Sequence, residues 1–156
     1  MQMDKHPPGH SVGEADEIST RLATPADMAA MLACDAYWQL HAQRGECVRT
    51  AIGKGLCTIA LRGGQVAGYV VMHDDFFGHD FVSLVVVSQL FRRRGIGLRL
   101  LAAADAACSR ARLFTSTNQS NLAARAMIAS AGFAPSGQID NLDEGDPELV
   151  FVKWRR

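Results

Sequence analysis

The feature that most constrains this chain is the order of a strand, an arginine cluster, a glycine pair and a helix within residues 80–111. Residues 81–87 (FVSLVVV) are apolar and largely β-branched, with the length and composition of a buried strand. Three consecutive arginines and the pair Gly95 and Gly97 follow, and apolar residues then recur with helical spacing up to residue 111. Because leucine, arginine and alanine are strong helix formers, propensity and pattern agree. The segment predicts a strand, a tight glycine turn and a helix.

The beginning of that helix is a predicted anion site. The N–H groups of a first helical turn have no partner within the helix, and the macrodipole adds positive potential at the same end. Glycines let a ligand approach the backbone, and the guanidinium groups of Arg92, Arg93 and Arg94 are permanently charged. A phosphate, most naturally a pyrophosphate, suits this arrangement. The alternative is a solvated basic turn, which would explain three arginines alone but not their place between a strand and a helix.

Two common phosphate-binding motifs are excluded by the residues around Gly97. The Walker loop requires a lysine and a hydroxyl residue after its second glycine. The dinucleotide fingerprint requires a third glycine and a later acidic residue in a repeating βαβ frame. The sequence after Gly97 (LRLLAAADAA) supplies neither pattern.

The arginine–glycine segment resembles the pyrophosphate loop of the GNAT N-acetyltransferase superfamily. The family pattern Gln/Arg-x-x-Gly-x-Gly/Ala is met by residues 92–97 (RRRGIG). A second motif, residues 121–133 (NLAARAMIASAGF), resembles the family's later Asn-x-x-Ala helix that ends in Gly-Phe. The two motifs stand in family order, separated by one helix and a short strand. The resemblance extends from about residue 66 to residue 133 and is weaker at both ends.

The fold class implied is α/β (α+β), a GNAT fold with a mixed, mostly antiparallel sheet of about seven strands flanked by helices. Its fourth and fifth strands should be parallel and splayed, with the acyl-CoA arm in the opening. A helix is expected to start at Thr24-Pro25 and to break at Gly45, before a short second helix. A helix capped by Ser120 or Asn121 should end before Gly132. Strands are predicted over residues 18–22, 56–61, 66–72, 81–87, 112–117, 137–142 and 148–154, the short helix over residues 48–52, and a turn over residues 73–80.

The resemblance implies acetyl-CoA as the acyl donor and no metal. The main chain of the fourth strand would hold the acyl-pantetheine arm, the loop would hold the pyrophosphate, and the later helix would meet the arm. The cofactor-binding residues implied in this way are Val85, Val86, Val87, Arg92, Arg93, Arg94, Gly95, Ile96, Gly97, Leu98, Asn121 and Ala124. The valine side chains are ordinary core residues, and Asn121 has an independent role as a helix cap.

The catalytic residues stay open because the sequence departs from the family at one position. Many members carry a tyrosine seven residues after the asparagine, where it protonates the leaving thiolate, and here that position is Ile128. A thiol with a pKa of about 8.5 can leave without an acid, so catalysis is not excluded. Candidates for the base and the acid, each of which also has an ordinary structural explanation, are Asp80, Ser83, Glu144, Ser130 and Tyr37.

The acceptor site is implied only in outline. In the family the first two helices frame the acceptor entrance, and aromatic residues near it are candidates, although each also fits simple packing on the sheet. These acceptor-site candidates are Tyr37, Trp38, His41, Phe76 and Phe77. The acidic turn over residues 143–147 is either a solvated loop or, if it folds over the entrance, an attraction for a cationic amine. Polyamine, antibiotic, amino acid and protein N-terminus all stay open as acceptors.

The activity implied is an acyl-CoA-dependent N-acyltransferase. It would move an acetyl group to a primary amine of a small molecule or peptide by direct attack through a tetrahedral intermediate. The alternative is a GNAT-like domain that binds acyl-CoA as a sensor without turnover, which the absent tyrosine would favour. A nucleic-acid binder ranks below both, because sixteen acidic residues balance sixteen basic ones. Dimers are common in the family, so a homodimer is one expected state.

Length and composition set the remaining expectations. We expect residues 1–16, polar and rich in proline and glycine, to be a mobile leader, and residues 17–156 to be a single domain. The four cysteines lack zinc-ligand spacing and are interpreted as reduced thiols. The histidines and acids of residues 73–80 are interpreted as a polar turn and not as a metal site. No signal core or membrane-length apolar run occurs in the sequence, which favours the cytoplasm.

Overall fold

Seven strands within residues 16–155, the part of the chain that the computed structural model describes, form one mixed sheet. Apart from Asp16, the predicted leader therefore lies outside the described residues. The strands are β1 (Ile18–Leu22), β2 (Cys57–Arg62), β3 (Gln65–Phe76), β4 (His79–Val87), β5 (Arg112–Asn118), β6 (Ala134–Ile139) and β7 (Glu148–Trp154). The helices are α1 (Met28–Cys34), α2 (Ala36–Leu40), α3 (Gln43–Gly53), α4 (Ile96–Ala107) and α5 (Leu122–Ser130), with 3-10 turns at Pro25–Asp27 and Gln89–Phe91.

The sheet topology confirms the predicted fold class. The strand order is β1-β2-β3-β4-β5-β7-β6, and each neighbouring pair is antiparallel except β4 and β5, which are parallel. The parallel pairing covers only residues 80–82 of β4 and residues 113–115 of β5. Beyond these residues the two strands separate, and this opening positions the site described below.

Helices cover both faces of the sheet, and the alternation of side chains along β3 shows why. Val70 and Met72 belong to the buried cluster formed with α4 and α5. Tyr69 and Val71 point to the opposite face and belong to the cluster formed with α1 and α3. Because both faces are buried, the strand is a continuous apolar run and not an alternating one.

The first helical region differs from the prediction of one helix broken at Gly45. The helix breaks earlier, at Asp35, whose φ of −116° and ψ of 95° are extended. Its carboxylate accepts hydrogen bonds from the N–H groups of Tyr37 at 3.0 Å and Trp38 at 3.2 Å, so Asp35 caps α2. Gly45 instead lies buried inside α3, where a Cβ atom would come 2.9 Å from Nε1 of Trp38. The predicted break was wrong because this glycine serves close packing.

Two other boundaries also differ. The predicted turn over residues 73–80 was wrong, since β3 continues to Phe76 and β4 begins at His79. Only Phe77 and Gly78 lie between them, with φ of 51° and 79°, as a two-residue hairpin turn requires. The sixth strand runs over Ala134–Ile139 and not over residues 137–142. Pro135 is tolerated there because β6 is an edge strand that pairs with β7 alone.

Candidate active site

The turn between β4 and α4 presents free backbone amides. Gly95 is the N-cap of α4 in the left-handed conformation, with φ of 79°. The first amide of the helix with a backbone acceptor is that of Arg99, which donates to the Gly95 carbonyl at 3.1 Å. Among residues 16–155 the N–H groups of Ile96, Gly97 and Leu98 have no hydrogen-bond partner. Three donors at the positive end of α4 are therefore available to an anion.

The two glycines of this turn have different roles, whereas the sequence interpretation gave both the same role. A Cβ on Gly95 would meet open space, so this glycine is needed for its positive φ. Gly97 is buried, and a Cβ there would overlap the sulfur of Met127 in α5. The first glycine therefore shapes the turn, and the second allows α5 to approach α4.

A cavity of about 670 Å³ opens at the turn. It runs between the end of β4, the start of α4 and one side of α5. Its lining residues are Val85, Val87, Arg92, Arg93, Gly95, Ile96, Gly97, Leu98, Asn121, Ala123, Ala124, Met127 and Ser130. Nearly all the predicted cofactor-binding residues thus come together around one opening; Arg94 is not among its lining residues, and Val86 lines the neighbouring cavity.

A second cavity, of about 500 Å³, fills the space where β4 and β5 separate. Val85, Asn121, Ala124 and Met127 line both this cavity and the first, so the two are contiguous. The separation starts at Ser83, an extra residue in β4 that has no partner in the register with β3. Such a bulge bends a strand and re-aims its side chains. Beyond residue 82 the β5-facing edge of β4 has no strand partner in the described chain, which leaves main-chain groups facing the cavity.

A third cavity, of about 320 Å³, continues the path toward α2 and α3. Tyr37, Arg44, Ser83 and Leu84 line both the second and the third cavity. We call the three connected cavities the cleft, with a loop end at Gly95 and an α2–α3 end. The α2–α3 end is lined by Tyr37, His41, Gln43, Arg44, Cys47, His73, Ser83 and Leu84.

A buried carboxylate organises the α2–α3 end of the cleft. Asp35 is 3% exposed and accepts four hydrogen bonds: two from the N–H groups of Tyr37 and Trp38, one from Nη1 of Arg44 at 2.9 Å and one from the Tyr69 hydroxyl. Burial alone would raise the pKa of Asp35, but the bonds from Tyr69, the Trp38 amide and Arg44 outweigh it and hold the pKa below its ordinary value. The same burial and the adjacent carboxylate raise the pKa of Tyr69. The guanidinium of Arg44 also lies 4.2 Å from the ring centre of Tyr37. Asp35, Arg44 and Tyr69 are absent from the sequence-based candidates.

The structure places some of the candidate catalytic residues in the cleft and others outside it. Ser83 lines the cleft, and its hydroxyl donates to the Val71 carbonyl at 3.3 Å. Ser130 lines the loop end. Asp80 is buried outside the cleft, where its carboxylate accepts the Ser109 N–H at 2.9 Å. Glu144 is exposed in the loop between β6 and β7 and lines none of the three cavities.

The tyrosine position of the family is occupied by a core residue. Ile128 is 3% exposed and lines the second cavity. Asn121, seven residues earlier, caps α5 by accepting the Ala124 N–H at 3.1 Å. The wall of the cleft at residue 128 is therefore apolar and carries no proton donor.

Two of the acceptor-site candidates lie in the cleft and the other three lie outside it. Tyr37 and His41 lie at the α2–α3 end, with ring centres 4.0 Å apart. Trp38 lines none of the three cavities and packs against Gly45. Phe76 and Phe77 lie at the β3–β4 turn, where the Phe76 ring is 4.6 Å from that of Phe81, away from the cleft.

The acidic turn over residues 143–147 does not contribute to the cleft lining. Asp143 accepts a hydrogen bond from the Asn118 side chain at 2.7 Å, and Asp146 accepts the Ser120 N–H at 3.0 Å. These bonds hold the turn to the end of β5. Within residues 16–155 no cluster of His, Cys, Asp or Glu side chains could hold a metal ion, and no helix has the length and apolarity to cross a membrane.

The sequence model of the acetyltransferase (GNAT) family matches residues 25–133, and the chain belongs to this family. No curated protein matches the sequence significantly. Among solved structures, a GNAT-family acetyltransferase from Bacillus cereus is 29% identical, with a TM-score of 0.85 over 90% of this chain and 99% of that one.

Two more distant structures share the fold. A candidate acetyltransferase from Salmonella typhimurium, solved with its cofactor acetyl-CoA, is 20% identical, with a TM-score of 0.70 over 88% of this chain and 93% of that one. A ribosomal-protein-alanine N-acetyltransferase from Brucella melitensis is 23% identical, with a TM-score of 0.69 over 88% and 99%.

Proposed function

We propose that this protein is an N-acetyltransferase that moves the acetyl group of acetyl-CoA to a primary amine of a small molecule or peptide. The observation that carries the proposal is the set of unpartnered amides of Ile96, Gly97 and Leu98 at the mouth of a cleft that continues between β4 and β5. Membership of the acetyltransferase (GNAT) family and the acetyl-CoA bound by the Salmonella relative support it.

The residues of the loop end fit acetyl-CoA. The three amides, with Arg92 and Arg93 on the same rim, would hold the pyrophosphate. The unpaired edge of β4 and the face of α5 at Ala124 would line the path of the pantetheine arm. Arg94 lies outside the lining and would add positive potential without contact. When bound, acetyl-CoA supplies an activated thioester that an amine can attack.

The chain's own contribution to the reaction is positioning and control of protons. A free alkyl ammonium has a pKa of about 10.4 and must lose a proton before it attacks. Partial enclosure of the amine in the cleft disfavours its charged form, which helps it to become neutral. Backbone N–H groups on the unpaired edge of β4 would polarise the acyl carbonyl, as an oxyanion hole does.

Proton transfer is proposed for the junction of the second and third cavities. Tyr37 and Ser83 line both cavities, and each side chain carries a hydroxyl group. Because Ile128 supplies no acid, we propose that the Tyr37 phenol donates its proton to the leaving thiolate. The proton that the attacking amine releases would pass through the Ser83 hydroxyl to the Tyr37 phenolate, which restores the phenol. Asp80 and Glu144 are not carried forward, since both lie outside the cleft.

Calorimetry with acetyl-CoA and a thiol-release assay with a panel of amines test the proposal. We expect micromolar binding of acetyl-CoA and amine-dependent release of free CoA. Binding without thiol release above background would establish the alternative, an acyl-CoA sensor, which the apolar Ile128 favours. Absence of binding would overturn both.

The compartment proposed is the cytoplasm, because Cys34, Cys47, Cys57 and Cys108 are all free thiols.

A further inference from the structure

We propose that Arg44 binds a carboxylate of the acceptor, so that the preferred acceptor is a small amine that also carries an acid group, such as a free amino acid. This inference rests on the proposed acetyl transfer, and it names the substrate class of that reaction. It depends on three features of the α2–α3 end: a guanidinium fixed in place, unused donors on it, and a lining without acidic side chains.

The guanidinium of Arg44 is fixed before any ligand binds. Its side chain is 16% exposed, and Asp35 holds Nη1 at 2.9 Å. The ring of Tyr37 lies 4.2 Å from its central carbon and restricts it from another side. A group held by a buried carboxylate and an aromatic ring loses little further freedom on binding, which favours affinity.

Arg44 keeps donors available for a second anion. An arginine has five N–H donors in a planar fork that matches a carboxylate. One of them is used for Asp35, and most have no acceptor within residues 16–155. Both oxygens of Asp35 already accept two hydrogen bonds each. The Asp35 carboxylate therefore has no hydrogen-bonding position left for a ligand. Arg44 is the member of this ion pair that lines the cleft.

The remaining lining of this end favours an anion over a cation. Neither the second nor the third cavity has an aspartate or glutamate in its lining. His41 and His73 line the third cavity together with Arg44; an imidazole can donate a hydrogen bond, and the guanidinium is permanently charged. The acidic loop over residues 143–147 is tied to Asn118 and Ser120 and lines neither cavity. A polyamine would find no counter-ion here, whereas a carboxylate would pair with Arg44.

The size of the α2–α3 end restricts the acceptor further. A cavity of about 320 Å³ joined to the thioester path at Ser83 suits an amine and a carboxylate within one small molecule. An acceptor without an anionic group would leave the Arg44 donors without a partner in a partly buried place. Leaving a charged donor unpaired is a larger penalty than the gain from pairing it, so the site discriminates by rejection.

The test compares matched acceptors that differ only in the carboxyl group. The probes are L-alanine, L-leucine, L-methionine and L-phenylalanine, each beside its carboxamide and the amine that lacks the carboxyl group, with CoA release as the signal. We expect kcat/KM for the best amino acid to exceed that of its carboxamide by about 10-fold or more, as one charge-assisted hydrogen bond gives. The difference should lie mainly in KM.

Arg44→Gln should remove this preference while acetyl-CoA affinity, measured by calorimetry, stays unchanged. Arg44→Lys should restore only part of it, because a lysine lacks the fork. The matched control is Arg49→Gln on the same helix, since Arg49 is exposed, pairs with Glu46 and does not line the cleft. Because Arg44→Gln leaves Asp35 uncompensated, the double variant Asp35→Asn with Arg44→Gln keeps the test possible if the single variant unfolds.

Each outcome decides the proposal. The proposal is supported if the parent protein prefers the amino acid and this preference is lost in Arg44→Gln or in the double variant. Turnover that favours carboxamides or amines, or a preference that survives both variants, overturns it while acetyl transfer stands. Failure of acetyl-CoA binding, or binding without thiol release from any probe or from the wider amine panel, overturns the proposed function and this inference with it.

Discussion

Gly97 in α4 packs directly on the thioether of Met127 in α5, so closely that a Cβ atom on residue 97 would overlap the sulfur. Both residues also line the loop end of the cleft. This contact sets how near the two helices lie at the place where the amides of α4 are free. The second glycine of the loop motif is therefore required for packing, in addition to the binding role proposed for the loop.

Gly97→Ala should reduce both stability and acetyl-CoA affinity. Overpacking of a tight contact lowers the free energy of unfolding by about 1–3 kcal/mol. Met127 has to turn aside to relieve the overlap, and because it lines the loop end this changes the shape of the cavity, so we expect the affinity to fall as well. Urea unfolding and calorimetry measure the two effects.

The second-site variant Met127→Ala is the control for this mechanism. Adding it to Gly97→Ala should recover part of the lost affinity, because the overlapping sulfur is then gone. Gly53→Ala is the matched glycine control, since a Cβ there meets open space in α3, and it should leave stability unchanged or raise it by about 0.5–1 kcal/mol. If the Met127 change recovers nothing, the contact is not the reason for a glycine at residue 97.

Gly95 should respond to substitution through its backbone and not through packing. Its φ of 79° disfavours residues with a Cβ, so Gly95→Ala should lower the free energy of unfolding by about 1–2 kcal/mol. Gly95→Asn should be milder, because asparagine adopts the left-handed conformation more readily. Chemical denaturation of the two variants, side by side, measures the difference; equal losses would contradict a conformational origin.

Local patterns in the sequence were sufficient for the fold class and for the strand, turn and helix around residues 92–97. Residues 92–97 combine arginines, glycines and a helix start within one stretch, and the structure brings them to one opening with the exception of Arg94. The order strand, helix, strand is the one that a parallel pair requires, and β4 and β5 are parallel. Such features depend on neighbours in the chain, and periodicity reports them directly.

The Asp35 network at the α2–α3 end could not be predicted because its contacts are distant in the chain. Asp35 meets Arg44 nine positions away and Tyr69 thirty-four positions away, and the pattern around each residue gives no signal of the others. Asp35 is a helix cap and the centre of a buried network, and no motif in the sequence marks it as either. The helix break predicted at Gly45 was wrong for the same reason, since this glycine contacts Trp38 only in the folded state.

Arg92 and Arg93 should contribute more to acetyl-CoA binding than Arg94 does. The first two line the loop end, and Arg94 does not. We expect Arg92→Gln and Arg93→Gln each to weaken binding by about 3- to 10-fold, with a smaller dependence on salt, because a charge contact with phosphate is lost. Arg94→Gln is the matched control and should change affinity by less than about 2-fold. Equal effects of the three substitutions, measured by calorimetry at low and high salt, would favour a diffuse potential over direct contact.

Asp35 should give the protein an acid-dependent component of stability. Its pKa is lowered in the folded state, so the folded protein binds this proton more weakly than the unfolded chain does. The contribution is therefore fully present above the unfolded value of about 3.9 and is lost as the pH falls through the depressed folded value. Asp35→Asn removes the titration, and it also leaves Arg44 without its partner, which should lower the free energy of unfolding at neutral pH by about 3–5 kcal/mol. Urea unfolding from neutral pH down to about pH 3 should show a shallower acid decline in the variant than in the parent. Parallel declines in the two proteins would mean that Asp35 is not held ionised by Arg44 and Tyr69.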